Sequence, residues 1–232
     1  MKAKDLYVKV GNREKFPLIF EGGLEMAAQF GGNAFRGSEK IDMPNGIKDF
    51  FKVFIPSGGS SDTPLGEQTN IYGNHLGSWN FSLTWYAPKD WTIRPYYEHY
   101  FEDHSQMFGE YGWKDCLAGV EITFPKNPVV SSFVYEYIST KDQSGPVYWD
   151  HTSEIPEQVS GTDNYYNHGI YTGWQHWGMG IGNPLVMSPI YNADGDISFK
   201  SSRMQGHHLG IMGTPVNGLR YRILFSFTRN WG

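Results

Sequence analysis

The residues whose chemistry stands out lie between Lys141 and Phe199. That stretch holds Tyr148, Trp149, Tyr165, Tyr166, Tyr171, Trp174, Trp177 and Tyr191, interleaved with Asp150, His151, Asp163, Asn164, Asn167, His168 and His176. Flat rings can stack on the apolar face of a pyranose while neighbouring Asp, Asn and His groups satisfy its hydroxyls. Trp149, His151, Tyr166, Asn167, His168, Trp174 and Trp177 are therefore the candidate carbohydrate-binding residues. The same rings can equally pack the segment onto itself or plug whatever encloses it. A connection this long is usually functional or disordered, and its aromatic content argues against disorder.

Other clusters point to less. Gly178-Met179-Gly180-Ile181-Gly182 has the glycine spacing of a phosphate loop, but such a loop must follow a strand and open a helix. Pro184 follows at once and no helical pattern begins, so the glycines are better read as permitting a tight backbone path. His207 and His208 sit side by side in an alternating segment, face opposite ways, and cannot readily chelate one metal together. Asn192-Ala193-Asp194-Gly195-Asp196 lacks the later Glu of a calcium loop and reads as turn chemistry. Cys116 is the single cysteine, and no Cys/His spacing suits zinc. Glu21, Glu25, Glu98, Glu102, Glu121 and Glu136 share alternating faces with Arg94, Arg220 and Arg222. A glycosidase would need two carboxylates about 5 to 9.5 Å apart across a cleft, whereas a hydrated lumen with compensating charges accounts for the whole set. No catalytic residue, metal or cofactor is expected, and the chain is not read as an enzyme.

The elements that must position these residues announce themselves by period two. From Phe16 to Phe30 every even position is apolar or glycine, and the odd positions include Glu21, Glu25 and Gln29. From Gly77 to Trp85 the odd set Gly77, Trp79, Phe81, Leu83, Trp85 opposes Ser78, Asn80, Ser82 and Thr84. Similar runs cover Trp91 to Phe101, Cys116 to Phe124, Val129 to Thr140 and Leu219 to Thr228, with weaker ones at Leu6 to Val10 and Lys200 to Met212. The count is about eight strands in an all-β antiparallel meander. Most runs are about 9 to 15 residues, where strands in soluble proteins have about 5 or 6 and a tilted bilayer crossing needs about 9 to 11. Asn45 to Ile55 reads as either a short helix or a strand.

Connections alternate in length. Asn12 to Lys15, Ala87 to Asp90, Pro125 to Pro128 and Gly213 to Asn217 are short turns, and between them lie long segments at about 31–75, 103–114 and 141–199. Outer-membrane barrels alternate short periplasmic turns with long extracellular loops in this way, and Trp85 and Trp91 flank a short turn where an aromatic girdle would lie. The expectation is that residues 1–232 form one portion of a transmembrane β-barrel in contact with outer-membrane lipid. A soluble antiparallel sandwich or barrel would alternate too, with its apolar face turned inward. Both chain ends would lie on the extracellular side, and Met1-Lys2-Ala3-Lys4-Asp5 shows no signal-peptide core, which reads as an internal piece of a longer barrel and an open, curved sheet. The net charge of −5, with no basic segment, speaks against nucleic acid. No run of about 18 apolar residues offers a transmembrane helix.

The segment Tyr165-Tyr166-Asn167-His168-Gly169-Ile170-Tyr171-Thr172-Gly173-Trp174, continued by Trp177-Gly178-Met179-Gly180-Ile181-Gly182-Asn183-Pro184-Leu185, resembles the Wzi family of capsule assembly proteins. Phe16-Pro17-Leu18 to Phe30-Gly31-Gly32 and Leu219-Arg220-Tyr221-Arg222 to Thr228-Arg229-Asn230 resemble it as well. Members are exported, longer outer-membrane barrels. The resemblance implies a location in the bacterial outer membrane, capsular polysaccharide as partner, and a binding or anchoring role at the cell surface. A porin or transport channel and a soluble carbohydrate-active β domain are the alternatives.

Overall fold

The computed structural model describes residues 2–36, 38–43, 45–53, 73–102, 104–108, 113–143 and 164–231. Twelve strands are formed among them: β1 (Lys2–Val10), β2 (Leu18–Gln29), β3 (Asn33–Arg36), β4 (Glu39–Asp42), β5 (Asn74–Ala87), β6 (Trp91–Phe101), β7 (Cys116–Thr123), β8 (Ser132–Ser139), β9 (Gln175–His176), β10 (Met179–Gly180), β11 (Arg203–Val216) and β12 (Leu219–Trp231). Eight make one antiparallel sheet in the order β1-β2-β5-β6-β7-β8-β11-β12, a meander in which every neighbour follows in sequence. The sheet does not close, and β1 and β12 are its two edges. The fold is therefore all-β and antiparallel as expected, with strands of 8 to 14 residues.

Alternation in sequence becomes two chemically distinct faces because the register holds from strand to strand, shifting only between Gly213 and Val216 at the end of the β11–β12 pair. One cross-strand row runs Val8, Gly22, Phe81, Tyr97, Ala118, Tyr137, His207, Phe227. The adjacent row, on the opposite face, runs Lys9, Glu21, Ser82, Tyr96, Gly119, Glu136, His208, Ser226. The first face is aromatic and aliphatic, with Phe20, Leu83, Ile223 and Phe225 between 40% and 66% exposed. The second carries the charge.

Direct cross-strand pairs of glycine with an aromatic ring help hold this register. A Cβ on Gly23 would stand 2.4 Å from the ring of Tyr7, and one on Gly119 would stand 2.4 Å from Tyr96. On the apolar face the ring of Phe101 lies over Gly77 in the same way. Each ring covers backbone that glycine leaves bare.

One detail differs from the sequence reading and two are added to it. β11 continues past Gly213 to Val216, so the turn shrinks to Asn217-Gly218, with Gly218 at φ +83°. The strand extends because Thr214 N–H donates to Pro128 O at 2.7 Å, and Gly213 passes so close to Val129 O that a Cβ would be 2.0 Å away. Within 31–75, β3 and β4 form a small ribbon and Ile47–Lys52 is a helix, which decides the open assignment at Asn45 to Ile55. Finally, residues 104–108 and Trp113 lie against the apolar face. Met107 packs on Met26 and Phe101, Trp79 Nε1 donates to Met107 O at 2.9 Å, and Trp113 stacks on His99 at 4.5 Å.

Candidate functional site

The polar face is bonded across its width. Lys9 pairs with Glu21 at 2.9 Å, and Ser82 Oγ donates to the same carboxylate at 3.3 Å. Tyr96 reaches over Gly119 to donate to Glu136 at 2.5 Å, and His208 Nδ1 meets Ser226 Oγ at 2.8 Å. Arg94 donates twice to one oxygen of Glu121, at 3.1 and 3.0 Å, while its guanidinium lies over Tyr96. A hollow of about 610 Å³ opens along this surface between Lys9, Arg94, Glu98 and Glu136. His207 and His208 do point to opposite faces: His207 bonds Tyr135 at 2.8 Å on the apolar side.

Above the hollow, residues 164–199 fold onto the same face. Tyr165, Tyr166, Trp174, Val186 and Phe199 form a core with Ile138 and Met204, flanked by Ala27, Leu76, Tyr100 and Leu117. Gln29 of β2 donates to Gly173 O at 2.9 Å, and Asn230 of β12 donates to Leu185 O at 3.3 Å. Those strands are six positions apart in the sheet order, about 29 Å if the sheet were flat. One folded segment thus reaches both strands, through Gly173 at one and Leu185 at the other.

The segment has almost no regular structure and is built instead from side-chain-to-backbone bonds. Asn167 is held at both ends of its amide, donating Nδ2 to Phe199 O and accepting Phe199 N–H, each at 2.8 Å. His168 Nδ1 accepts from Ile170 and Tyr171 N–H at 3.1 and 3.3 Å, and burial pushes its imidazole below the ordinary value, toward the neutral form. Tyr166 O accepts Trp174 N–H at 3.0 Å, and Tyr166 Oη accepts Asn183 N–H at 2.9 Å. Gly173, at φ +77°, sits where a Cβ would be 2.1 Å from Tyr166 O, so the Tyr166–Trp174 closure depends on glycine.

A buried polar anchor fastens this segment to the sheet. Asp115 accepts from Tyr165 Oη at 2.7 Å, from Asp142 N–H at 2.9 Å and from Gln143 N–H at 2.5 Å. Gln106 donates to Tyr165 Oη, and His99 spans Asp115 O and Gln106 O at 3.1 Å each. Burial raises the Asp115 carboxyl above the usual aspartate range, against the lowering effect of those hydrogen bonds. Sequence reasoning missed Asp115, Gln106 and Gln143: nothing in type or spacing links residues that only the folded chain brings together.

The seven candidate binding residues thus separate. Tyr166 and Trp174 are 6% and 3% exposed, with their rings against protein. Asn167 and His168 are committed to backbone partners. Trp177 is 87% exposed; Ile190 N–H bonds the carbonyl of the following Gly178 at 2.9 Å, and Tyr191, next in sequence to Ile190, is 68% exposed. Trp149 and His151 lie outside the described residues. No family model, curated protein or solved structure matches the chain. Chemically, Trp177 and Tyr191 are open stacking surfaces, His176 stands edge-on to Trp177 at 6.2 Å, and the neighbouring backbone is hydrogen-bonded, Ile181 N–H to Trp174 O at 2.8 Å and Ile190 N–H to Gly178 O at 2.9 Å. Among the described residues, no three His, Cys, Asp or Glu side chains converge as a metal site would require.

Proposed function

We propose that this chain contributes eight strands to a transmembrane β-barrel of the bacterial outer membrane, and that the barrel binds capsular polysaccharide at the cell surface. The observation that carries the membrane part is the row from Val8 to Phe227, apolar or aromatic at seven of eight strands and backed by the polar row from Lys9 to Ser226. A soluble sheet would bury its apolar face under a second layer; here Phe20, Leu83, Ile223 and Phe225 are exposed. The polysaccharide part rests on the resemblance of Tyr165–Leu185 to the Wzi family and on Trp177 and Tyr191, open rings on a hydrogen-bonded base. Within this reading Tyr166, Asn167, His168 and Trp174 shape the base and Trp177 touches sugar.

Fractionation of cells making the protein, followed by gels with and without boiling, tests the membrane claim. A heat-shifted band in the outer-membrane fraction is expected; a soluble protein of unchanged mobility sinks it. Binding of capsular polysaccharide, lost on Trp177→Ala, tests the second claim. A channel is the competing reading, favoured by the hollow along the polar face; steady ion conductance in planar bilayers together with no polysaccharide binding would select it.

A further inference from the structure

We infer that the short-turn end of the sheet is a docking rim for the phosphate layer of an anionic phospholipid leaflet, an inference that rests on the transmembrane reading above. The meander places all four short turns at one end of the sheet. Three of the four pair exposed cations with apolar side chains. Arg13 and Lys15 precede Phe16, Lys89 lies between Trp85 and Trp91, and Lys126 between Phe124 and Val129, while the fourth turn brings the apolar Leu219. Phe16, Trp85, Trp91, Val129 and Leu219 are between 37% and 59% exposed. Trp91 and Phe124 meet edge to face at 5.0 Å, and Arg13 lies 4.3 Å over the ring of Tyr86.

Charge at this end is unbalanced. The turns carry Arg13, Lys15, Lys89 and Lys126 against Glu14 and Asp90, and none of those four cations is in an ion pair among the described residues. In a bilayer, aromatic and aliphatic anchors settle at the headgroup boundary, and long cationic side chains reach from there to the phosphates. Neighbouring turns are two strand spacings apart, about 10 Å. One free phosphate cannot bridge them, whereas a continuous layer of headgroups meets all three cationic turns at once. Lipid phosphate is therefore the occupant, rather than a soluble anion.

Flotation with vesicles of phosphatidylcholine alone, or mixed with phosphatidylglycerol, tests this on the full chain. At low salt the mixed vesicles should bind it tighter by about tenfold or more, and added salt should erase the difference as screening shortens the reach of the charges. Inorganic phosphate should act no more strongly than chloride at equal ionic strength. In a triple variant, Lys15→Gln, Lys89→Asn and Lys126→Asn, the two affinities should lie within about twofold of each other. Asn suits Lys89 and Lys126 because their φ values of +63° and +55° lie in the left-handed region that Asn tolerates. Equal binding of the wild-type chain to both vesicle types overturns the rim and leaves the membrane reading standing. Salt-insensitive preference, or specific displacement by inorganic phosphate, overturns it too. No flotation with either vesicle overturns the membrane reading and the rim with it.

Discussion

Trp174 and Trp177 stand three residues apart and have opposite environments, 3% and 87% exposed. The same substitution should therefore have different effects at the two positions. Trp174→Ala removes a ring from the core with Tyr166 and Phe199 and should cost about 3–5 kcal/mol of stability. Trp177→Ala should change the denaturation midpoint little while weakening polysaccharide binding, read by titration against intrinsic fluorescence. If Trp177→Ala binds like wild type, the exposed ring is not the sugar contact. Asp115 makes a separate prediction. Because burial raises its carboxyl, the folded chain holds that proton more tightly than the unfolded one. Its contribution is whole below the ordinary aspartate value, about 3.9, and is lost as pH rises through the raised value. Urea midpoints between about pH 4 and 7 should fall with rising pH in wild type, and Asp115→Asn should remove that slope.

At the scale of elements, the strands were legible and the segment over them was not. Period two located all eight sheet strands and the bounds of β6, Trp91–Phe101, because each side chain there has one of two faces to occupy. The end of β11 was misjudged at Gly213, where glycine reads as a turn although here it admits Val129 O. Residue type did single out Tyr166, Asn167, His168 and Trp174. Their packing and anchoring roles rest on partners such as Phe199, 32 residues from Asn167, and no local pattern encodes that distance. The glycine–aromatic pairs were likewise hidden, since pairing Gly119 with Tyr96 needs the register. Gly119→Val should push Tyr96 off Glu136 and cost about 1–3 kcal/mol. Gly169→Ala, where nothing lies within 4 Å, should stay within about 0.5 kcal/mol of wild type. Urea melts of both variants compare them directly, and equal midpoints would mean that the ring is not held over the glycine.

For the whole molecule, the two faces make a claim about surroundings. Leu83 and Ile223 lie on the apolar face, and their sequence neighbours Ser82 and Arg222 on the polar one. Spin labels at the first two should report lipid in the reconstituted protein and labels at the other two should report water; the reverse would turn the sheet inside out. The free edges carry one more consequence. Consecutive strands reverse direction, so β1 and β12, first and eighth in the sheet, run opposite ways. Parity then governs closure. The edges can join each other directly, or through any even number of further strands, with every contact still antiparallel. An odd number would force one parallel seam, whose slanted bonds match neither neighbour. If the sheet closes as the proposed barrel with every seam antiparallel, the ring has an even strand count.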